Sequence, residues 1–432
     1  MDRPIQEDDE VVTCFRDGVV TLRKNRRLRG FTESLKEIGY QGIREGDLVI
    51  HAMDAFAGAV GVSDSDGKGT PVYSVCSPSV EANPYYFAYL LREMARSQWI
   101  QALAKGIRER STDFRFDAFA NQLLPVPPKD EQAAIVRFLD HADRRIRRAI
   151  AAKQKLIRLL EEQKQAIIHR AVTRGLDPDV RLKPSGVEWQ GDVPEHWDIY
   201  RVKQVSQILR GKFTYRPRND PSLYDGPYPF IQTGEVARAQ KIITEYRQTL
   251  NDRGLAVSKM FPKGTLVMTI AANIGEVAVL DFEACFPDSV VGFVPSSIVD
   301  RDYLYYIFLA MKQELLREAP VNTQGNLNVD RIGSRRLALP PLVEQRLMVS
   351  SIEKEALEMN TAIEGMRSEA SLLREYRTRL IADVVTGKLD VREAAARLPD
   401  SLESGLDGDE ALDIESDDAS SDDEAITEDE AA

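Results

Sequence analysis

Residues 124–140 read LPVPPKDEQAAIVRFLD and residues 337–353 read LALPPLVEQRLMVSSIE, matching phrases 213 positions apart. The same offset, without a gap, lays LLEEQKQAIIHRAVTRGLD (159–177) over LLREYRTRLIADVVTGKLD (372–390). Register kept over 54 positions, with shared Pro-Pro, Glu-Gln, Leu-Leu and Val-Thr landmarks, marks a tandem duplication. Each copy reads as one long helix. Pro127-Pro128 and Pro340-Pro341 precede it, where a missing amide donor costs least. Glu131 and Glu344 suit the positive end of the first turn, and Gly175 and Gly387 stand where a helix would end.

Within each copy, apolar or small residues recur at alternating steps of four and three. The first copy offers Ile135, Leu139, Ala142, Ile146, Ala149, Leu156, Leu160 and Ile167; the second offers Met348, Ile352, Met359, Ala362, Met366, Leu373, Tyr376 and Leu380. That period is a coiled-coil seam. Lys153, Gln163, Glu355 and Glu369 interrupt it, costing stability while helping to fix register. Residues 137–174 carry eleven Lys/Arg against four Asp/Glu, and residues 343–385 carry six against eight. A basic and an acidic helix, each too narrow-faced to stand alone, are expected to pair within the chain. At ~1.5 Å per residue, roughly 38–40 residues make a rod of about 55–60 Å.

Outward from the helices, residues 179–335 read as a mixed domain. Strand-like runs lie at 228–234, 264–270, 276–282 and 289–295, followed by a helical DYLYYIFLAMKQELLRE at 302–318. The first half echoes this, with GDLVIHA (46–52) answering GTLVMTI (264–270) and a helical NPYYFAYLLREMARSQWI at 83–100. The expected order is a mixed domain (1–125), a long helix (126–178), a mixed domain (179–335), a long helix (336–392) and an acidic tail (393–432). Only 45 residues precede Gly46, whereas 74 positions separate Gln190 from the matching Gly264, so the first domain is expected to lack its opening strands.

The net charge of −12 comes from the tail, since residues 400–432 hold fifteen acids and no Lys or Arg. Such a composition is expected to be disordered. Three dispersed cysteines and four scattered histidines spell neither a disulfide framework nor a metal site. No run reaches the ~18–20 apolar residues of a membrane span, and no leader opens the chain, so a cytoplasmic protein is expected. Asn83-Pro84-Tyr85-Tyr86 lacks the second proline and the preceding glycine-rich turn of a DNA methyltransferase, and reads as a helix start. Asn219-Asp220-Pro221 reads as a turn. No phosphate-binding glycine loop and no nuclease carboxylate cluster is written here. A non-catalytic protein without cofactor or metal is expected.

The doubled PPxxEQ-plus-helix element, with AVTRGLDPDVRLKPSGVEWQGDVPEHW (171–197) and VVTGKLDVR (384–392), resembles the specificity subunits of type I restriction–modification systems across residues 40–392. The resemblance implies an α/β (α+β) fold: two target-recognition domains separated by two long helices that form an antiparallel intrachain coiled coil. It further implies that each domain reads half of a bipartite site in double-stranded DNA, and that the helix pair sets the unread gap. Two adenine methyltransferase subunits would dock on the helices, joined for restriction by nuclease–translocase subunits.

Residues 199–219 hold Arg201, Lys203, Arg210, Lys212, Arg216 and Arg218 without an acid, interleaved with Phe213 and Tyr215. Such a stretch neutralises phosphates, while Arg, Asn and Gln in the groove read bases. Candidate DNA contacts are therefore Lys212, Tyr215, Arg216, Arg218, Gln232, Thr233, Asn273, Asn322, Thr323 and Gln324. In the first half they are the basic run Arg23 to Arg29, His51, Lys68, Arg108, Arg110 and Arg115. The competing reading is a coiled-coil scaffold, or an inactive truncated remnant, without base readout.

Overall fold

The computed structural model describes residues 3–26, 38–103, 114, 116–215, 217–317 and 327–399. Chain contacts divide the molecule into two units, residues 1–155 with 366–432 and residues 156–365. The division falls inside both long helices, so each unit combines one mixed domain with half of the helix pair. The elements that position the site are, in chain order, Leu48–His51 (β1), Val60–Val62 (β2), Tyr73–Cys76 (β3), Pro84–Arg96 (α1), Lys129–Arg174 (α2), Ser206–Arg210 (β4), Leu266–Thr269 (β5), Val277–Leu280 (β6), Val290–Pro295 (β7), Arg301–Arg317 (α3), Leu342–Val385 (α4) and Arg392–Ala396 (α5).

The duplication is visible in strand register. In the first unit β1 lies between β2 and β3, with Val49 opposite Gly61 and Val75. In the second, β5 lies between β6 and β7, with Val267 opposite Ala278 and Gly292. All these pairings are antiparallel. The turns into the two central strands use Gly46 at φ +85° and Gly264 at φ +83°, a left-handed conformation that a Cβ would strain. β5 and β6 are buried on both faces, which suits their apolar sequences, and the Thr269 hydroxyl that ends β5 is hydrogen-bonded. The second sheet is extended by β4 beyond β7 and by Ile242–Ile243 beyond β6. Among the described residues, β3 has no neighbour corresponding to β4.

The first domain is shorter but not strandless before Gly46. Val12–Cys14 pairs with Val20–Leu22, and Gln41–Ile43 pairs with Gly67–Gly69. Two ladders of three-residue strands carry their own cluster around Val12, Val20, Ile43 and Val49, so strands do precede Gly46, while none among the described residues corresponds to β4.

The helices α2 and α4 run antiparallel in both units. In the first, Ile135 and Leu139 pack with Leu380 and Val384, Asp143 meets Arg377, and Lys153 meets Glu369. In the second, Lys164 Nζ donates to Asn360 Oδ1 at 3.0 Å, and Ile168 and Val172 share a core with Met348 and Ile352. The partner's number falls as that of α2 rises. Ile135, Leu139, Ile146, Ile352 and Leu380 are buried, and Leu160, Ile167, Met359 and Leu373 are half-buried.

Three seam positions differ from the sequence expectation. Leu156 is 49% exposed, and Ile157 takes the half-buried place beside it. In α4 the buried residue is Ile363 rather than Ala362, and Arg377 rather than Tyr376 turns inward to Asp143. The heptad runs through Lys153, Lys164 and Arg377, whose long aliphatic stems fill the seam while their charged ends find partners on the other helix. A scan for apolar residues slips by one wherever such a residue holds the position.

The acidic tail also begins later than expected. Residues 393–396 belong to α5, and Ala395 is buried. Residues 400–432 lie outside the described residues.

Candidate nucleic-acid interface

Of the second unit's candidate residues, Lys212, Arg218 and Asn273 lie at one end of its sheet. There β4 and β5 finish while β7 and β6 begin, because Arg210 is opposite Val291, Thr269 opposite Val290, and Met268 opposite Val277. The loop 285–290 joins what surrounds it. Gly211 N donates to Val290 O at 3.1 Å, Lys212 N to Phe286 O at 3.0 Å, Ile231 N to Cys285 O at 2.8 Å and Ile270 N to Ser289 O at 2.9 Å. Arg218 forms an ion pair with Asp288 of the same loop.

Within the stretch after β4, residues alternate between anchor and display. Phe213 is buried against Tyr224 and Phe230, whereas Lys212 and Tyr215 are exposed. The apolar anchor fixes the backbone from which the cation and the phenol project. Asp220 ends the stretch by capping the short turn Pro221–Leu223, its carboxylate accepting from Ser222 N at 2.9 Å. Asp220 is held below the usual carboxylate range, first by this backbone hydrogen bond.

Asn273 sits in the tight connection between β5 and β6. Ala272 there adopts φ +46° and Gly275 φ +82°, and Thr269 Oγ1 donates to the carbonyl of Asn273. A non-glycine residue in the left-handed region is a strained choice that places Asn273, itself exposed, at the sheet end. Lys312 near the end of α3 pairs with Glu276 in the same turn at 2.5 Å. The chain then returns with Leu327 N donating to Ile270 O at 2.8 Å.

Gln232 and Thr233 begin the short helix Thr233–Arg238, at the end of the strand Tyr224–Phe230. The Gln232 carboxamide donates to that of Gln248, and its backbone N–H donates to Glu235 Oε2 at 3.0 Å. Gln232 is exposed and Thr233 half-buried.

The first unit repeats the arrangement with different side chains. Phe114 N donates to Ala52 O at 3.1 Å, just past β1, as Leu327 does past β5. His51 is turned inward: its Nδ1 accepts from Asp54 N at 3.2 Å and its ring packs edge-on to Tyr73. Burial pulls the imidazole below its usual pKa, opposed by Asp54. Lys68 is half-buried in the strand Gly67–Gly69. Arg108, Arg110, Arg115, Arg216, Asn322, Thr323 and Gln324 lie outside the described residues, as do Arg27 and Arg29 of the basic run.

Two glutamines of the repeated PPxxEQ phrase carry a role that residue type alone did not disclose. Both are fully buried. Gln132 Oε1 accepts from Asn83 N at 2.8 Å while its Nε2 donates to Pro127 O at 2.8 Å and Glu81 O at 3.1 Å. Gln345 makes the same set with Asp300 N at 2.8 Å, Pro340 O at 2.9 Å and Ile298 O at 3.0 Å. Each ties the start of a long helix to the approach of the domain helix, α1 or α3. The only sequence signal was recurrence.

The long helices also display apolar side chains away from their seam. In α4 these are Val343 (72% exposed), Leu347 and Leu357 within the second unit, and Leu372 with Tyr376, one turn apart, in the first. Val343, Leu347 and Leu357 fall within one narrow sector of the helix. Among the described residues no helix is long and apolar enough to cross a membrane.

Residues 194–365 match the family described as "Type I restriction modification DNA specificity domain". The chain is 22% identical over 320 residues to the type I restriction enzyme MjaVIII specificity subunit of Methanocaldococcus jannaschii, covering 71% of this chain and 70% of that protein. A solved structure from a study of complex assembly and conformational transition of the type I R-M system shares the fold. Its TM-score is 0.64 at 19% identity, covering 81% of this chain and 84% of that one.

Proposed function

We propose that this chain, a member of the type I restriction–modification specificity-subunit family, reads double-stranded DNA with its two mixed domains and docks methyltransferase subunits on its long helices. The observation that carries the reading is that Lys212, Arg218 and Asn273 stand around the loop 285–290 at one sheet end. The equivalent end of the first sheet supports a second, chemically different reader. Cations there supply affinity through phosphates, and the exposed carboxamide of Asn273 supplies the bidentate donor–acceptor pair suited to adenine.

The exposed apolar positions Val343, Leu347, Leu357, Leu372 and Tyr376 support the docking half of the proposal. A second apolar stripe on a helix whose seam is already filled suits another amphipathic helix. Catalysis then resides in the docked subunits, methyltransferase first and nuclease–translocase when restriction is carried out, and this chain needs no cofactor or metal of its own. The test is co-expression with the methyltransferase followed by an adenine-methylation map of the host DNA. A two-part motif supports the reading. Absence of any motif, with the complex intact, returns the chain to a scaffold.

A further inference from the structure

In the second unit, residues 336–339 form a strand paired antiparallel with Asp198–Arg201, Leu337 opposite Tyr200 and Leu339 opposite Asp198. Gln190 holds the strand's other edge. Its Oε1 accepts from Ala338 N at 2.7 Å and its Nε2 donates to Ala338 O at 3.4 Å. Trp197, just ahead of the paired residues, is fully buried in the core that includes Leu339. Its Nε1 donates to Glu344 Oε1 at 3.2 Å. Leu337, Ala338 and Leu339 are all buried.

The counterpart in the first unit, by the same repeat, is 123–126, and among the described residues no strand pairs with it. Val126 is 59% exposed where Leu339 is 3%, Leu123 is fully exposed, and Pro125 is exposed where Ala338 is buried. The inner edge needs no Gln190. Tyr86 Oη donates to Pro125 O at 3.0 Å, and proline has no amide to satisfy. Nor does Pro125 spoil the outer edge. Backbone groups alternate in direction along a strand, so those of Leu124 and Val126, like those of Leu337 and Leu339, face the open side. Glu131, the counterpart of Glu344, is present too, with Arg392 at 3.7 Å. The outer edge of β3, by contrast, is blunted, since Tyr73 O accepts from Gln41 Nε2 at 2.7 Å.

We infer that 123–126 is an edge for strand addition, and that it takes an extended peptide segment of a partner protein with an aromatic residue just ahead of the paired stretch. The backbone groups of Leu124 and Val126 supply the ladder, and the aromatic ring covers Val126 and gives selection. Glu131 offers the acceptor that Glu344 offers Trp197. The inference does not depend on base readout.

The test uses the full chain and a fluorescein-labelled synthetic peptide of residues 187–203, VEWQGDVPEHWDIYRVK, which supplies in trans the segment that covers the second unit's strand. Anisotropy is expected to show saturable binding with a Kd below about 100 μM, weakened at least about tenfold by W197A in the peptide or by V126D in the chain. Val126 is exposed, so V126D should leave the unfolding midpoint close to unchanged. No saturable binding, or equal affinity for V126D, would overturn the proposal. A dimer of the chain that V126D dissolves, seen by sedimentation, would give the edge to a second copy and overturn the partner reading. Hydrogen exchange on the unmodified chain needs no variant. The peptide is expected to slow exchange at Leu124 and Val126, and protection confined to other segments overturns the proposal.

Discussion

Gln345 Oε1 accepts the backbone N–H of Asp300 at 2.8 Å, so α4 is pinned at its start to the approach of the domain helix α3. Asp300 in turn caps α3, its carboxylate accepting from Asp302 N at 2.9 Å and Tyr303 N at 3.2 Å. The amide–cap relay recurs in the first unit, where Gln132 holds Asn83 N and the Asn83 side chain accepts from Tyr85 N at 3.0 Å. Two copies of one buried carboxamide thus orient both domains on their halves of the helix pair.

Replacing Gln345 by Leu keeps the volume and strands one donor and two acceptors away from water. Each orphaned group costs about 1–3 kcal/mol, so Gln345→Leu is expected to lose at least ~3 kcal/mol. Urea unfolding measures it. Gln345→Glu, which keeps the acceptor but loses the amide donors, is expected to be destabilised as well.

Lys153 and Glu369 show the opposite economy. The pair is part-exposed in a mostly apolar seam, so its attraction is largely screened. Replacing both by Leu is expected to leave stability unchanged or raise it, whereas Glu369→Leu alone lowers it by leaving the lysine unpaired. Thermal unfolding of the two single variants and the double variant closes the cycle.

Asp140 gives a pH prediction. Burial holds its carboxyl above the usual carboxylate range, with the Tyr89 hydrogen bond and Arg144 opposing. A folded pKa above the unfolded one means that the protonated acid favours the fold. That contribution is present below the unfolded value of about 3.9 and is lost as pH rises through the folded value. Asp140→Asn, which still accepts from Tyr89, is therefore expected to stabilise the chain at neutral pH. Near about pH 3 it should give no gain. Unfolding midpoints across that range check it.

Leu372→Asp with Tyr376→Asp should leave the unfolding midpoint close to unchanged, because both side chains are already exposed. The same pair is expected to abolish co-purification with the methyltransferase. Retained co-purification would remove this stripe from the docking surface.

Much of the fold was legible because duplication doubles every signal. The two long helices followed from Pro-Pro, Glu-Gln and the heptad. The exact seam was not, because Lys153, Lys164 and Arg377 occupy core positions with their stems, and apolar counting then drifts to Leu156 and Tyr376. The basic run after β4 was legible as charge, but only the structure shows that Phe213 anchors it and that Arg218 leans on Asp288. His51, a candidate DNA contact by sequence, ends β1, and its Nδ1 accepts from Asp54 N.

The central claim is tested most directly by mapping adenine methylation in cells that carry the methyltransferase with either the intact chain or a K212A/R218A/N273A variant. The account predicts a two-part motif from the intact chain, and a variant in which one part is relaxed while the other is kept. Equal effects on both parts, or a motif untouched by the three substitutions, would contradict it.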